Sequence, residues 1–197
     1  MRAFKGFNSN LTCTKGNGTY QYEPGKTYYT DASQTARTGF HCCENPVDCL
    51  TWYSLPLQSQ THPEGSRIFV VEAAGDIDEI DDKIACTQLT LVTELSLKRL
   101  AYEAMKYIIL HPLRKWESRG KLFEIACGHA EALAGGFAIA RGVDPVVKGE
   151  KGAVVAVIVE HPENAEEFID ANIGEVGVDL EPGLWYTFID GRWEVAR

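Results

Sequence analysis

Residues 126–142 read ACGHAEALAGGFAIARG, and every even position is small: Ala126, Gly128, Ala130, Ala132, Ala134, Gly136, Ala138, Ala140 and Gly142. Nine consecutive matches to a two-residue period favour strands, whose side chains alternate between two faces. A face that admits only Ala and Gly leaves almost no interior volume, which is the requirement of a narrow β-roll or β-solenoid. The composition also allows an Ala- and Leu-rich helix broken at Gly135-Gly136.

Upstream the period changes. Leu97, Leu100, Ala101, Ala104 and Ile108 form one stripe at helical spacing. Ser96 is placed to cap that helix, and His111-Pro112 ends it. Lys98, Arg99, Glu103 and Lys106 are expected on its solvated face. The first ninety residues read as short strands and turns: RAFKGF, a hairpin signal at Gly16-Asn17-Gly18, GKTYYT, GFHCC and SRIFVVEAAGDI. Asn45-Pro46 stops the GFHCC strand, and VDCLTWYSL then places Val47, Leu50 and Tyr53 on one side of a short helix. Near the C-terminus AVVAVIVEH reads as a buried strand and PENAEEF as a loop or single turn. Asp190-Gly191 reads as a hairpin turn, across which Trp185, Tyr186, Phe188 and Trp193 pack.

These segments predict an α+β fold. A small mixed-sheet domain spans 1–92, an amphipathic basic helix and linker 93–120, and a mostly β part 121–197 with an Ala/Gly-packed roll capped by hairpins. Open coil edges need cover, and self-association as a dimer or trimer is one way to supply it.

Charge narrows the function classes. Net charge is −9, and Glu150–Arg197 alone carries eleven acids against three bases. Lys98–Lys121 carries seven bases against two acids. An acidic chain with no long basic stripe is poorly suited to nucleic-acid phosphates. No stretch is long and apolar enough to cross a bilayer, and MRAFKGFN has no apolar core of a secretory signal. A cytoplasmic protein is expected, with its six cysteines reduced and Cys86 and Cys127 in the core.

Three chemistries present themselves around GFHCCENPVDCLTWY. A zinc ion would gather Cys13, His41, Cys43 and Cys49, although no CxxC pair supports it. His41 and Cys43, two apart on one strand face, are the pair available for thiol catalysis. A nucleotide pocket would be lined by Lys5, Lys26, Tyr28, His41 and Glu72, with a lysine on phosphate, an aromatic against a base and Glu72 on a ribose hydroxyl. The acidic run DIDEIDD, from Asp76 to Asp82, lacks the central glycine and closing Glu of a calcium loop and reads as a solvated turn. His129 and His161 stand isolated.

Taken in order, AFKGFNSNLTC, YQYEPGKTYY, GFHCCENPVDCLTWY, the strand with FVVEAAGDI, and LEPGLWYTFIDGRWEV resemble a phage and prophage family of unknown function. Its members carry a GFHxCxNPxD motif, a middle with solenoid-like Ala/Gly-rich repeats, and similar ends. This chain departs from them in a shorter, less repetitive middle and a bulkier basic helix. The resemblance implies a gene acting in the cytoplasm of a bacterial host, through a host protein or a nucleotide signal, and most simply as an inhibitor of antiviral defence without a cofactor. The solenoid-like middle also suits a virion component. In arrangement the N-terminal half is similar to small ADP-ribosyltransferase-like domains. That similarity implies NAD as cofactor and Tyr28, His41 and Glu72 as catalytic candidates, with Lys5 or Lys26 on the ligand.

Overall fold

A computed structural model describes residues 1–13, 19–81 and 83–196. The chain divides into two compact units, Met1–Ser96 and Leu97–Arg197. It is α+β and mostly sheet, with one α-helix of more than two turns among the described residues.

The first unit is built on β1 (Arg2–Phe7), β2 (Thr12–Cys13), β3 (Tyr20–Gln21), β4 (Thr27–Tyr29), β5 (Phe40–Cys42), β6 (Arg67–Ile80) and β7 (Lys83–Glu94). β6 and β7 form a long antiparallel hairpin that turns after Ile80, where Asp81 has φ +53°. β1 pairs with β6, while β4 and β5 pair with β7, all antiparallel. Just after β5, Cys43 and Phe4 exchange two backbone hydrogen bonds of 2.8 Å. Those bonds return the sheet to β1 and close β1, β6, β7 and β5 into a small ring. Closure removes free edges that would otherwise template other strands. Mixing of parallel and antiparallel strand pairs falls in the other unit, while every strand pair here is antiparallel. The expected acidic turn over Asp76–Asp82 is a correction: Asp76–Ile80 continues β6 and Asp81 turns, while residue 82 lies outside the described residues. The Gly16-Asn17-Gly18 turn lies outside the described residues, while β2 and β3 pair on either side of it.

The ring's interior holds Ala3, Phe7, Phe40, Cys42, Phe69, Val71, Ala73, Ile84, Cys86, Leu89 and Leu91. Asn45 accepts a hydrogen bond from Val47 N at 3.1 Å and starts a 3-10 helix, Pro46–Thr51, with Pro46 where no amide donor is needed. Val47, Leu50 and Tyr53 are buried, as their spacing predicts. This helix packs against β1. Gly6 is required there, since a Cβ would stand 2.4 Å from Tyr53 Cδ2.

The second unit contains α1 (Leu97–Leu110), β8 (Ser118–Arg119), β9 (Phe123–Ala132), β10 (Phe137–Gly149), β11 (Val154–His161), β12 (Asn164–Glu175), β13 (Tyr186–Ile189) and β14 (Arg192–Val195). β9 and β10 pair in parallel from Phe123↔Phe137 onward, and β10 and β11 from Phe137↔Val154. Ten residues of straight strand would carry the chain about 33 Å away. The linking residues 133–136 span at most about 14 Å and cannot bring it back. β9 therefore bends, at Gly128 (φ +75°), and β10 bends over 142–145, where the register shifts and Gly142 has φ +153°. Each long strand is two arms of a coil. Residues 123–127, 137–141 and 154–159 line one layer, and 129–132 and 146–149 the other.

The small residues account for the narrow space between layers. Ala130, Ala132, Ala138, Ala140 and Ala153 are buried there with Val147, Val155 and Val157. Gly128 and Gly142 are corners, and Ala134 and Gly136 lie in or at the edge of a turn, which is why the period runs unbroken through positions that play different parts. The helical alternative at 121–142 is not what forms. Alternate residues Phe137, Ile139 and Ile158 are buried on the opposite face, and α1 packs against β10, β11 and β12. β12 extends the sheet antiparallel beyond β11, and the β13–β14 hairpin turns at Asp190 (φ +50°) and Gly191 (φ +76°) as expected. Phe188 and Trp193 meet edge to face at 5.3 Å across it.

Three expectations are corrected. Asn164–Phe168 is strand, because the turn at 161–164 lets the chain pair back along β11. Glu103 is buried in α1 with an ion pair to Arg99. Cys127 is exposed, because it precedes the Gly128 corner on the outward side, whereas Cys86 is in the core.

Candidate functional site

The candidates of the first unit are placed by strand alternation. On β1, Ala3, Lys5 and Phe7 face the interior, so Lys5 is only 5% exposed. Its ammonium donates to His41 O at 2.6 Å and stands 5.6 Å from the ring centroids of Phe7 and Tyr22. Lys5 thus ties β1 to β5 across the ring. Glu72 is on β6 between the inward Val71 and Ala73, and so faces outward, directly across from Arg2. The two ends of the expected pocket therefore point to opposite sides of the sheet.

The others are held locally. Lys26 is exposed and pairs with Glu23 at 2.6 Å. The Tyr28 hydroxyl accepts from Glu23 N at 2.6 Å, and its ring packs against Tyr20, Tyr22 and Phe40. His41 alternates with the inward Phe40 and Cys42, and its Nε2 accepts from Ala36 N at 3.0 Å. Burial, and then the nearby Lys5 cation, hold His41 below its ordinary pKa. The structure brings Lys5 together with the His41 carbonyl, but Lys26, Tyr28, the His41 ring and Glu72 do not converge. An open groove of about 570 Å³ on this unit is lined by Gln58, Ser59, Gln60, Pro63, Glu94 and Ser96, with none of the five on its wall.

The thiols separate in the same way. Inside the ring the Cys86 thiol donates to Phe40 O at 3.4 Å; the neighbouring Cys86 thiol and then burial raise the Cys42 pKa, while Cys42 lowers that of Cys86. The neighbouring Cys43 thiol, and then burial, raise the pKa of Cys49. The Cys13 sulfur accepts from the Tyr53 hydroxyl at 3.0 Å. Burial lifts the Tyr22 phenol as well. The four zinc candidates are thus engaged in three different places, and His41 bonds a backbone amide rather than Cys43. Among the described residues no group of three or more His, Cys, Asp or Glu side chains could hold a metal ion.

Sequence reasoning missed Arg141, a heavily engaged side chain of the second unit. It is 3% exposed. Nε donates to Glu160, Nη1 to Pro112 O at 3.0 Å and Nη2 to Ala165 O at 2.7 Å. The guanidinium also stands 4.8 Å from the Trp116 ring and 5.1 Å from Phe168. The available signal was a lone base between the apolar Ala140 and the corner glycine Gly142. At another turn, Asp179 accepts from Glu175 N at 2.8 Å and from Lys98 at 3.2 Å, and both hold its carboxyl below the usual range.

The fold and these placements define a two-unit α+β protein: a closed antiparallel ring tied by a buried lysine, and a coiled β-roll pinned by a buried arginine. A protein family described as a domain of unknown function (DUF7666) matches residues 1–103, and the chain belongs to that family. No curated protein and no solved structure matches it.

Proposed function

We infer that this chain is a phage- or prophage-encoded accessory protein that binds a host partner and blocks it without turning over a substrate. The partner is a bacterial defence protein or a nucleotide signal, met in the host cytoplasm. The observation that carries this reading is the use made of Lys5. The cation that would meet a substrate phosphate is spent inside the ring on His41 O, on the side of the sheet away from Glu72. Outward, large apolar side chains including Tyr29, Trp52, Leu113 and Val178 are exposed. The phage context rests on the GFHCCENP and LWYTFIDG motifs. No helix among the described residues is long and apolar enough to cross a membrane.

The test is expression in a bacterium that carries an antiviral system, followed by phage challenge. Restored plating, with one host protein or nucleotide co-purifying at fixed stoichiometry in native mass spectrometry, supports the reading. Transfer of ADP-ribose from NAD to a host protein, lost in Tyr28→Ala/Glu72→Ala, would replace it with an enzyme. Recovery in purified virions would replace it with a structural role, the reading that the coiled roll of the second unit favours.

A further inference from the structure

The second unit segregates charge along the chain, with bases in Lys98–Lys121 and acids in Glu150–Arg197. The fold brings one end of each run to a single buried side chain. Arg141 binds Pro112 O and Ala165 O, so the turn after α1 and the start of β12 flank one guanidinium. Leu113 and Lys115 follow on one side, and Glu166, Glu167 and Ile169 on the other.

Each of these neighbours carries exposed apolar surface beside charge mostly of one sign, with Glu117 an exposed acid among the bases. Leu110 is 63% exposed, Leu113 78% and Ile169 61%. Lys106, Lys115 and Lys121 are exposed in the same stretch of chain as the leucines, and Glu163, Glu166 and Glu167 in the same stretch as the isoleucine. None of these six has an ion pair among the described residues. Each patch thus combines an apolar centre with an unneutralised rim, the composition of an interface rather than of a solvated face.

We propose that the two patches are halves of one interface and that the occupant is a second copy of this chain. Adjacent patches of opposite sign are complementary to themselves under a two-fold axis. One rotation sets the basic patch of each copy on the acidic patch of the other, so every contact forms twice. Leu110 and Leu113 of one protomer meet Ile169 of its partner, and the charged rims fix the register. The contact is made by side chains. Along β12, the N–H groups of Ala171 and Ile173 are taken by the side chains of Asp170 and Asn172, at 2.8 and 2.7 Å, which blunts this strand as a template for strand addition. This inference stands independently of the host-partner reading, since it needs nothing but the chain itself.

The experiment is sedimentation velocity on the full chain, on Lys115→Glu, on Glu167→Lys and on their equimolar mixture, at low and high salt. The wild type is expected to dimerise at low salt and to dissociate as salt rises. Each single swap places like charges at both copies of the contact and should weaken dimerisation by about tenfold or more. The mixture should dimerise again, because every 115–167 pair is then of opposite sign. Both substitutions are at exposed positions, and unchanged circular dichroism confirms that the variants fold. A wild type monomeric at all concentrations and salts overturns the proposal. So does a dimer that ignores salt, or swaps that fail to complement each other.

Discussion

Arg141 offers the most demanding test of the second unit. Replacing it with Met keeps much of the side-chain volume between Trp116 and Phe168 but removes every donor. Glu160, whose side chain is 13% exposed, loses its ion-pair partner, and the carbonyls of Pro112 and Ala165 lose theirs. Breaking a buried pair from one side costs about 3–5 kcal/mol, because a charge is left uncompensated. With a urea dependence of about 2 kcal/mol per molar, the unfolding midpoint should fall by roughly 1.5–2.5 M. Trp116, Trp185 and Trp193 all lie in this unit and Trp52 in the other, so fluorescence follows mainly the right transition. Arg141→Met/Glu160→Met should recover at least half of the loss, since an apolar replacement of both partners is close to neutral. A single variant that costs less than about 1 kcal/mol would refute the claim that Arg141 pins the roll.

Other outcomes follow from the same reasoning. Ala140→Leu forces added volume between the two layers beside Val157 and should cost about 1–3 kcal/mol, read as a lower unfolding midpoint; no cost would mean that the layers are not closely packed. Lys5→Met removes a buried cation with one hydrogen-bond acceptor and should leave stability unchanged or raise it by roughly 1 kcal/mol or more; a clear loss in denaturation would show that the ammonium–His41 bond outweighs its burial. His41 has a depressed folded pKa, so the unfolded chain takes up its proton first. Its contribution to stability is complete above the ordinary histidine value, about 6.5, and is lost as pH falls below it. His41→Asn should flatten that slope between about pH 7 and 5, and an unchanged slope would contradict the assignment.

Much of the architecture was legible because it depends on period. The even-numbered alanines and glycines announced the roll, the Leu97–Ile108 stripe announced α1, and Asp190-Gly191 announced the last hairpin. Asn164–Phe168 was not legible, because its polar residues form a strand only when β11 is there to pair with. Glu103 misled in the opposite way: a charged residue reads as solvated until its position on the helix and its Arg99 partner are known. The candidate site was less legible than the fold. Lys5, Tyr28, His41 and Glu72 had suitable chemistry, but alternation on β1 and β6 sends Lys5 and Glu72 to opposite faces.

The sequence by itself determined which residues could share a face, because alternation and helical stripes are local properties of the chain. Only the tertiary structure decided which faces meet. Closure of the ring through Phe4 and Cys43, return of the coil at Gly128 and Gly142, and convergence of Pro112, Ala165 and Glu160 on Arg141 all join residues far apart in the chain. Such contacts follow from burial and hydrogen-bond satisfaction across the whole fold, and no local pattern encodes them.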